Sequence, residues 1–418
     1  MALPPLDCLR IGFVGAGFIA NFHLEALVAV RNVRVAGVFS PRAERREAAA
    51  AKAEALGLGP CRAFASLEEM LSSGAIDAVW LLGPNHARLE TMREIAALAA
   101  ARRAGALRAI ACEKPLARTL AEAREMLRLA GEAGLLHGYL ENQLFMPAVQ
   151  RGREIVWRRA VPESGRPYIA RATEEHAGPH EPWFWQGEKQ GGGVLLDMMC
   201  HSVEAGRFLL TEPGAARTSL KPVAATASVA TLKWARPEYA GRLRQAMGAE
   251  VDYARRPAED FARGLVTFED EAGNPLIVEA TTSWAYVGAG LRITLELLGP
   301  EYAMEFNSLG SGLKVFLGGE GGARGGEDLV EKQNAERGLM PVLEDEAAAY
   351  GYVHENRHFV EAFRRGAMPE ETFADGVAVV AMLMALYRSA ELGRTVALDE
   401  PELEDYVPAV ARAEAPLV

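Results

Sequence analysis

Three stretches of the 418-residue chain carry side chains whose type and spacing suit chemistry on a small polar molecule. The first is Gly15-Ala16-Gly17-Phe18-Ile19-Ala20, which follows a compact apolar run and opens a segment with helical spacing. Gly15 permits a tight turn, Gly17 lets backbone approach a pyrophosphate, and Ala20 allows close helix–strand packing. Phosphates then rest on the amides and positive dipole end of the helix. The plainer reading is a tight turn without a ligand, and the strand-before, helix-after setting argues against it. The second stretch is Cys112-Glu113-Lys114-Pro115, at the carboxyl end of a predicted central strand, the edge where open α/β sheets bind ligands. Lys114 there is either a surface charge or a working amine. The third is Gly191-Gly192-Gly193 followed by a helix on which Asp197 and His201 stand four apart and project from one face. A carboxylate and an imidazole at that spacing can form a proton-handling pair, a helix-surface hydrogen bond or half of a metal site. No metal is expected, because further ligands at local spacing are missing and Cys200 points elsewhere on the helix.

Two more segments bear on what would bind. A NAD site normally has Asp or Glu at the end of its second strand. This chain has Phe39-Ser40-Pro41-Arg42, with Arg45 and Arg46 just beyond. A 2′-phosphate would meet no carboxylate, and a hydroxyl with guanidinium groups can bind it, so the residues favour NADP over NAD. The competing reading puts these arginines on a solvated helix face. The stretch from His176 to Gln186 gathers His176, His180, Trp183 and Trp185. Aromatic faces stack on sugar rings, and imidazole and amide groups meet hydroxyls, so the mixture suits a carbohydrate pocket. Alternatively the tryptophans anchor an irregular loop. Trp284 and Tyr286 belong either to that pocket or to an interface between copies.

The elements that must position these groups fall into two patterns. Up to about residue 140, short apolar runs (Leu9–Val14, Val33–Phe39, Asp77–Leu82, Leu107–Cys112, Leu135–Leu140) alternate with helical ones. That predicts an N-terminal doubly wound parallel sheet covered on both faces, over residues 1–140. After a helix near Pro147–Arg158 the strand-like runs crowd together: Tyr168–Glu174, Val223–Lys233, Gly264–Phe268, Leu276–Ser283, Leu291–Leu297 and Ala303–Phe306. Residues 141–418 are therefore expected to form a second domain, an open-faced, mostly antiparallel sheet interrupted by the helix Val194–Leu210. Residues 236–258 read as an exposed charged insertion, and Gly318–Gly326 as a glycine-rich loop. Helices near Glu355–Arg365 and Ala374–Leu392 end the fold.

Bulk properties narrow the partners. Half the residues are hydrophobic (50%) and 24% are charged, which is a globular composition. The net charge of −11, with Lys and Arg scattered, argues against nucleic acid. No secretory signal and no run of about 18 uninterrupted apolar residues is seen, so no membrane is expected. Cys8, Cys61, Cys112 and Cys200 form no CxxC pair and read as reduced thiols of a cytoplasmic protein. An apolar sheet face left open argues for a homodimer or homotetramer through the C-terminal sheet.

Gly15–Ala20, Glu113-Lys114-Pro115 and the GGG…DxxxH of residues 191–201 together resemble the glucose-fructose oxidoreductase / inositol dehydrogenase / rhizopine catabolism family. Gly83-Pro84-Asn85-His86, Asn142 before Phe145-Met146-Pro147, and the segment from His358 to Val396 are similar as well. The resemblance implies a nicotinamide, NAD or NADP, held by Gly15, Gly17, Phe18, Ile19, Ala20, Ser40, Arg42, Arg45, Pro84, Asn85, His86, Glu113, Lys114 and Asn142. It makes Lys114, Asp197 and His201 the catalytic set of a dehydrogenase or reductase acting on the hydroxyl-bearing carbon of a sugar, inositol or sugar derivative. His201 would take the hydroxyl proton, Asp197 would orient the imidazole or bind a neighbouring hydroxyl, and Lys114 would stabilise the developing alkoxide and relay its proton. A cis Lys114–Pro115 peptide is implied too. Met199, Arg88 and Glu204 depart from the family's usual pattern around these residues. Two other activities fit the same motifs: glycoside cleavage by oxidation, elimination and re-reduction on a retained nicotinamide, and cofactor sensing without catalysis.

Overall fold

The computed structural model describes residues 3–248, 251, 253, 258–288, 290–310, 313–317, 338–343 and 345–412. The chain divides into two units. The first comprises Met1–Ala117, Ala121–Pro147 and Ala347–Ala378, and the second Arg118–Leu120, Ala148–Glu346 and Val379–Val418. The segment Ala347–Ala378, which the sequence groups with residues 141–418, therefore clusters with the first unit.

In the first unit, strands β1 (Leu9–Val14), β2 (Val33–Phe39), β3 (Arg62–Phe64), β4 (Ala78–Leu81), β5 (Ala109–Glu113) and β6 (Leu136–Leu140) alternate with helices α1 (Phe18–Val28), α2 (Ala43–Ala55), α3 (Leu67–Ser72), α4 (Asn85–Ala100) and α5 (Leu120–Glu132). The sheet order is β3-β2-β1-β4-β5-β6, and every pairing is parallel. β4 and β5 are buried along their whole length, which is why they read as continuous apolar runs. Arg10 within β1 is tolerated because it folds onto Asp77, with its Nε 2.8 Å from Oδ2. The order reverses between β1 and β4, so the carboxyl ends of those strands flank a crevice of the kind that takes ligands in open α/β sheets.

The second unit begins with α6 (Pro147–Ile155), continued by a π-helical turn (Val156–Ala160) and α7 (Val161–Ser164). Strands β7 (Ile169–Glu175), β8 (Lys221–Ala230), β9 (Phe261–Glu269), β10 (Pro275–Ser283), β11 (Arg292–Leu298), β12 (Ala303–Asn307) and β15 (Val396–Ala397) form one sheet in the order β12-β11-β7-β10-β9-β8-β15. All pairs are antiparallel except β7 with β10. β13 (Leu313–Leu317) and β14 (Gly338–Val342) pair separately. Between β7 and β8 lie α8 (Gly187–Gln190) and α9 (Val194–Leu210), the latter buried throughout and packed on β7, β9, β10 and β11. A side chain at Gly206 would meet Val278 at 2.5 Å, so the glycine lets α9 approach β10 closely. α10 (Pro237–Met247) lies between β8 and β9; α11 (Glu346–Ala349), α12 (Tyr352–Arg365) and α13 (Phe373–Leu392) follow β14, with α12 inside the segment that clusters with the first unit.

Several expectations need correction. The outward-facing residues of the second sheet are not an apolar patch. Arg171 bonds Glu279 at 3.3 Å and Glu296 at 3.0 Å, Arg263 bonds Glu279, and Thr173 pairs with Thr294 across the strands. These pairs make that face more polar than alternation alone indicates. Within the predicted insertion, α10 buries Ala240 and Leu243 rather than being exposed all round. Gly318–Gly326 lies outside the described residues. The helix Phe373–Leu392 is long and apolar enough to cross a membrane by length and composition, and 61% of its apolar window is buried inside the protein. The four cysteines are free thiols.

Candidate functional site

The glycine turn at the end of β1 divides its labour. Gly15 has φ +113°, and a side chain there would strike Leu82 and Gly83 backbone at 2.7–2.8 Å, so both conformation and space demand glycine. Gly17 has neither constraint: nothing lies within 4 Å of where its Cβ would project. Its missing side chain keeps the turn open in front of α1, which is where a dinucleotide phosphate would be received. Ala20 is 1% exposed and packs inward, as expected of the third position. Phe18 leans on Phe22, ring centroids 5.2 Å apart, and Ile19 lies beside it in the first turn. These residues fit a dinucleotide. At the end of β2, Ser40 is buried and its carbonyl accepts from Arg46 at 3.2 Å, while Arg42 caps α2 and Arg45 follows in its first turn.

Lys114 follows β5 at the same carboxyl edge of the sheet, and its peptide bond to Pro115 is cis, as expected. Glu113 is 5% exposed, and its two oxygens are separately held. Oε1 lies 2.8 Å from His23 Nε2, and Oε2 accepts the Lys114 amide at 3.0 Å. Asn356 on α12 holds the other side of the imidazole: its Nδ2 reaches His23 Nδ1 at 2.9 Å, and its Oδ1 accepts from Trp80 Nε1 at 3.0 Å. Burial pushes the Glu113 carboxyl up, but the bond to His23 and the charges of His23, Lys114 and Arg88 outweigh it. The group sits below its ordinary value. Nearby Glu355 shows the opposite outcome: fully buried and repelled by Glu113 and Glu141, it is held well above the usual carboxylate range. Cys112 is pushed to about 12 by burial, which makes it an inert thiol. Pro84, Asn85 and His86 cap and open α4, and Asn142 donates to the Tyr350 carbonyl at 2.7 Å.

In the second unit, Asp197 and His201 lie one turn apart on α9, 6% and 4% exposed. The helix is held at both ends. At its start, Glu259 Oε1 accepts Gly193 N at 2.9 Å, Leu195 N at 3.2 Å and the Tyr387 hydroxyl at 2.5 Å. A side chain on Gly193 would meet Glu259 at 2.5 Å, so the third glycine is what lets this carboxyl reach the helix. At its end, Trp157 binds the Leu209 carbonyl, Arg166 that of Leu210 and Arg153 that of Thr211. An acidic group at the start and arginines at the end suit the helix dipole. Burial raises Glu259 to about 7, against the lowering pull of its Tyr387 and backbone donors.

The aromatic stretch separates into two kinds of residue. Trp185 is enclosed by Trp234, Tyr253 and Trp284, with centroids 5.1–6.3 Å away, and is 1% exposed. It is a packing anchor, and its faces are not presented to a sugar. Trp284 belongs to the same core. Trp183 stacks on Phe184 at 3.8 Å and stays partly exposed, as does His180. His176 is buried, and its Nδ1 accepts the Gly178 amide at 2.9 Å. His23, Asn356, Glu259 and Tyr387 were not among the residues marked from sequence. The partners named above lie 64 to 333 positions away, and no local spacing signals such a contact.

Comparison with known proteins agrees with the fold of the two units. Residues 9–139 match the model of an oxidoreductase family with an NAD-binding Rossmann fold, and residues 162–301 match the GFO/IDH/MocA C-terminal domain. A 1,5-anhydro-D-fructose reductase from Ensifer adhaerens is 33% identical over 49% of this chain, and the match spans 57% of that reductase. A levoglucosan dehydrogenase from Pseudarthrobacter phenanthrenivorans is 27% identical over 91% of this chain and 96% of its own length. Among solved structures, GenD2 from gentamicin A biosynthesis in complex with NAD superposes with a TM-score of 0.74 at 25% identity, covering 96% of this chain and 99% of that one. These names are of dehydrogenases and reductases, which does not favour the glycoside-cleaving alternative. The chain belongs to the GFO/IDH/MocA family of NAD-binding oxidoreductases.

Proposed function

We propose that the protein transfers a hydride between a nicotinamide dinucleotide and a hydroxyl-bearing carbon of a sugar, an inositol or a related polyol. One observation carries the reading. The turn kept open at Gly17 and the anchored Lys114 lie at the same carboxyl edge of one parallel sheet. When bound, the nicotinamide supplies the hydride acceptor. The chain supplies the proton chemistry. His201 takes the hydroxyl proton, Asp197 one turn earlier orients the imidazole, and the Lys114 ammonium stabilises the developing alkoxide. Pro84, Asn85, His86, Glu113 and Asn142 border the cofactor, and His176, His180 and Trp183 contact the substrate. Relatives named for 1,5-anhydro-D-fructose, levoglucosan and inositol support a cyclic polyol as substrate. The four free thiols suit a reducing, cytoplasmic setting.

Lys114→Ala tests the reading. Turnover should fall by about two or more orders of magnitude, the usual scale of acid–base catalysis, while cofactor still binds. Near-normal turnover would refute the role. We further assign NADP over NAD, on the absent carboxylate after β2 and the guanidinium groups of Arg42, Arg45 and Arg46. Arg45→Ala should then weaken NADP binding by about tenfold or more and NAD binding far less, read by titration of protein fluorescence. Equal weakening of both would remove the 2′-phosphate assignment.

A further inference from the structure

We propose that Arg88 is a positioning residue for Lys114, one that clamps the backbone on both sides of the lysine. The inference rests on the reading of Lys114 as a catalytic amine. Arg88 is 5% exposed and sits in the first turn of α4. That is a poor place for a cation. The helix start is the positive end of its dipole, which disfavours a like charge, and burying any charge is costly unless it is matched. Contribution to helix stability therefore does not account for it. Its partners do. Nε donates to the Gly83 carbonyl at 3.0 Å, and Nη1 donates to the carbonyl of Glu113 at 2.7 Å and to that of Pro115. Two of these three oxygens belong to the residues immediately before and after Lys114.

The amide side of the same segment is held as well. The Lys114 N–H donates to Glu113 Oε2 at 3.0 Å, and Glu113 is itself fixed by His23. The peptide that bears the lysine is thus pinned through its flanking carbonyls by a guanidinium and through its amide by a carboxylate. Gly83 extends the clamp to the loop after β4, so the ends of two adjacent strands are locked in register. The planar fork serves carbonyls on two strand ends from two nitrogens held at fixed spacing. A lysine ammonium also has three donors, but they radiate from one atom on a flexible stem and lack the fixed spacing of Nε and Nη1. Since misplacing a reacting group by about 1 Å can cost about a hundredfold in rate, fixing this backbone is worth a buried cation.

The test uses the full chain as Arg88→Lys, Arg88→Ala and Lys114→Ala. Two readouts are taken: steady-state oxidation of whichever of levoglucosan, myo-inositol and D-xylose is turned over fastest, and the rate at which trinitrobenzenesulfonate labels Lys114, mapped by mass spectrometry. Arg88→Lys should lower kcat by about 30- to 100-fold with KM and the NAD dissociation constant within about threefold, and should change the Lys114 labelling rate by about fivefold or more. Added guanidinium at low millimolar concentration should restore kcat about tenfold in Arg88→Ala and leave Lys114→Ala unchanged. Unchanged Lys114 labelling in an Arg88→Lys protein that still binds NAD overturns the clamp, with or without measurable turnover. So does parallel loss of kcat and NAD affinity that guanidinium does not restore. Failure of the underlying reading looks different: Lys114→Ala would keep its turnover.

Discussion

Glu113 in the first unit and Glu259 in the second are equally buried, 5% and 4% exposed, and each anchors a segment that carries proposed catalytic residues. They end on opposite sides of their ordinary value. Glu113 is met by an imidazole on one oxygen and an amide on the other, within the fields of Lys114 and Arg88, and is held low. Glu259 is met by three neutral donors, all on Oε1, and its Oε2 has no hydrogen-bond partner among the described residues. It rises to about 7. The pair separates two effects that usually act together. Hydrogen bonds from neutral dipoles reduce the penalty of burying a carboxylate, whereas nearby positive charge reverses it. The segment bearing Lys114 is anchored by a charge that persists, and the helix bearing Asp197 and His201 by a group whose charge changes near neutral pH.

The largest test of this contrast is Glu113→Ala. It leaves the buried His23 ring without its hydrogen-bond partner and the buried Arg88 guanidinium without a nearby opposite charge, so unfolding should become easier by about 3–5 kcal/mol in urea. A folded-state value held low means that the Glu113 contribution is present above the unfolded value of 4.5 and is lost as pH falls below it. The deficit of Glu113→Ala should accordingly shrink in acid. A cost under about 1 kcal/mol at pH 7 would mean that the first anchor does not depend on charge.

Glu259→Gln comes next and has the opposite sign. A carboxyl raised from 4.5 to about 7 favours the folded state fully below 4.5 and loses that advantage as pH rises through 7. The shift corresponds to about 3 kcal/mol. Glutamine keeps an acceptor for the helix amides and cannot ionise. Relative to wild type, Glu259→Gln should gain stability as pH goes from about 4.5 to 7.5, followed by denaturation at each pH. A difference that does not vary with pH would show that Glu259 does not titrate in this range.

What the sequence disclosed follows the same division between local and distant causes. The parallel sheet was readable because β4 and β5, buried on both faces, are continuous apolar runs, and the Gly15–Ala20 turn because strand, glycines and helix are contiguous. The spacing of Asp197 and His201 is likewise a property of one helix. Trp185 was misread for the complementary reason. Whether an indole faces a ligand or three other aromatic rings depends on Trp234, Tyr253 and Trp284, which are distant in sequence. His23 looked like an ordinary helix residue until Asn356, 333 positions on, came to its other nitrogen. The outer face of the second sheet was expected to be apolar because alternation indicates which residues are buried but not which charges pair across strands.

The smallest effect expected is the most discriminating. Tyr387 donates to Glu259 Oε1 at 2.5 Å and accepts from the Gly193 amide at 2.9 Å and the Leu196 amide at 3.2 Å. Tyr387→Phe removes one hydroxyl from this arrangement and should cost about 1–2 kcal/mol, the price of unpaired buried amides. The hydroxyl is also a group that pulls the Glu259 value down, so its loss should push that value further up. The pH range over which wild type loses stability would then move to higher pH in Tyr387→Phe, and combining it with Glu259→Gln should abolish the movement. A midpoint that stays put or moves down would mean that the phenol does not stabilise the ionised carboxylate. In that case the contrast between the two glutamates would reduce to positive charge being present in one unit and missing in the other, with neutral donors contributing nothing.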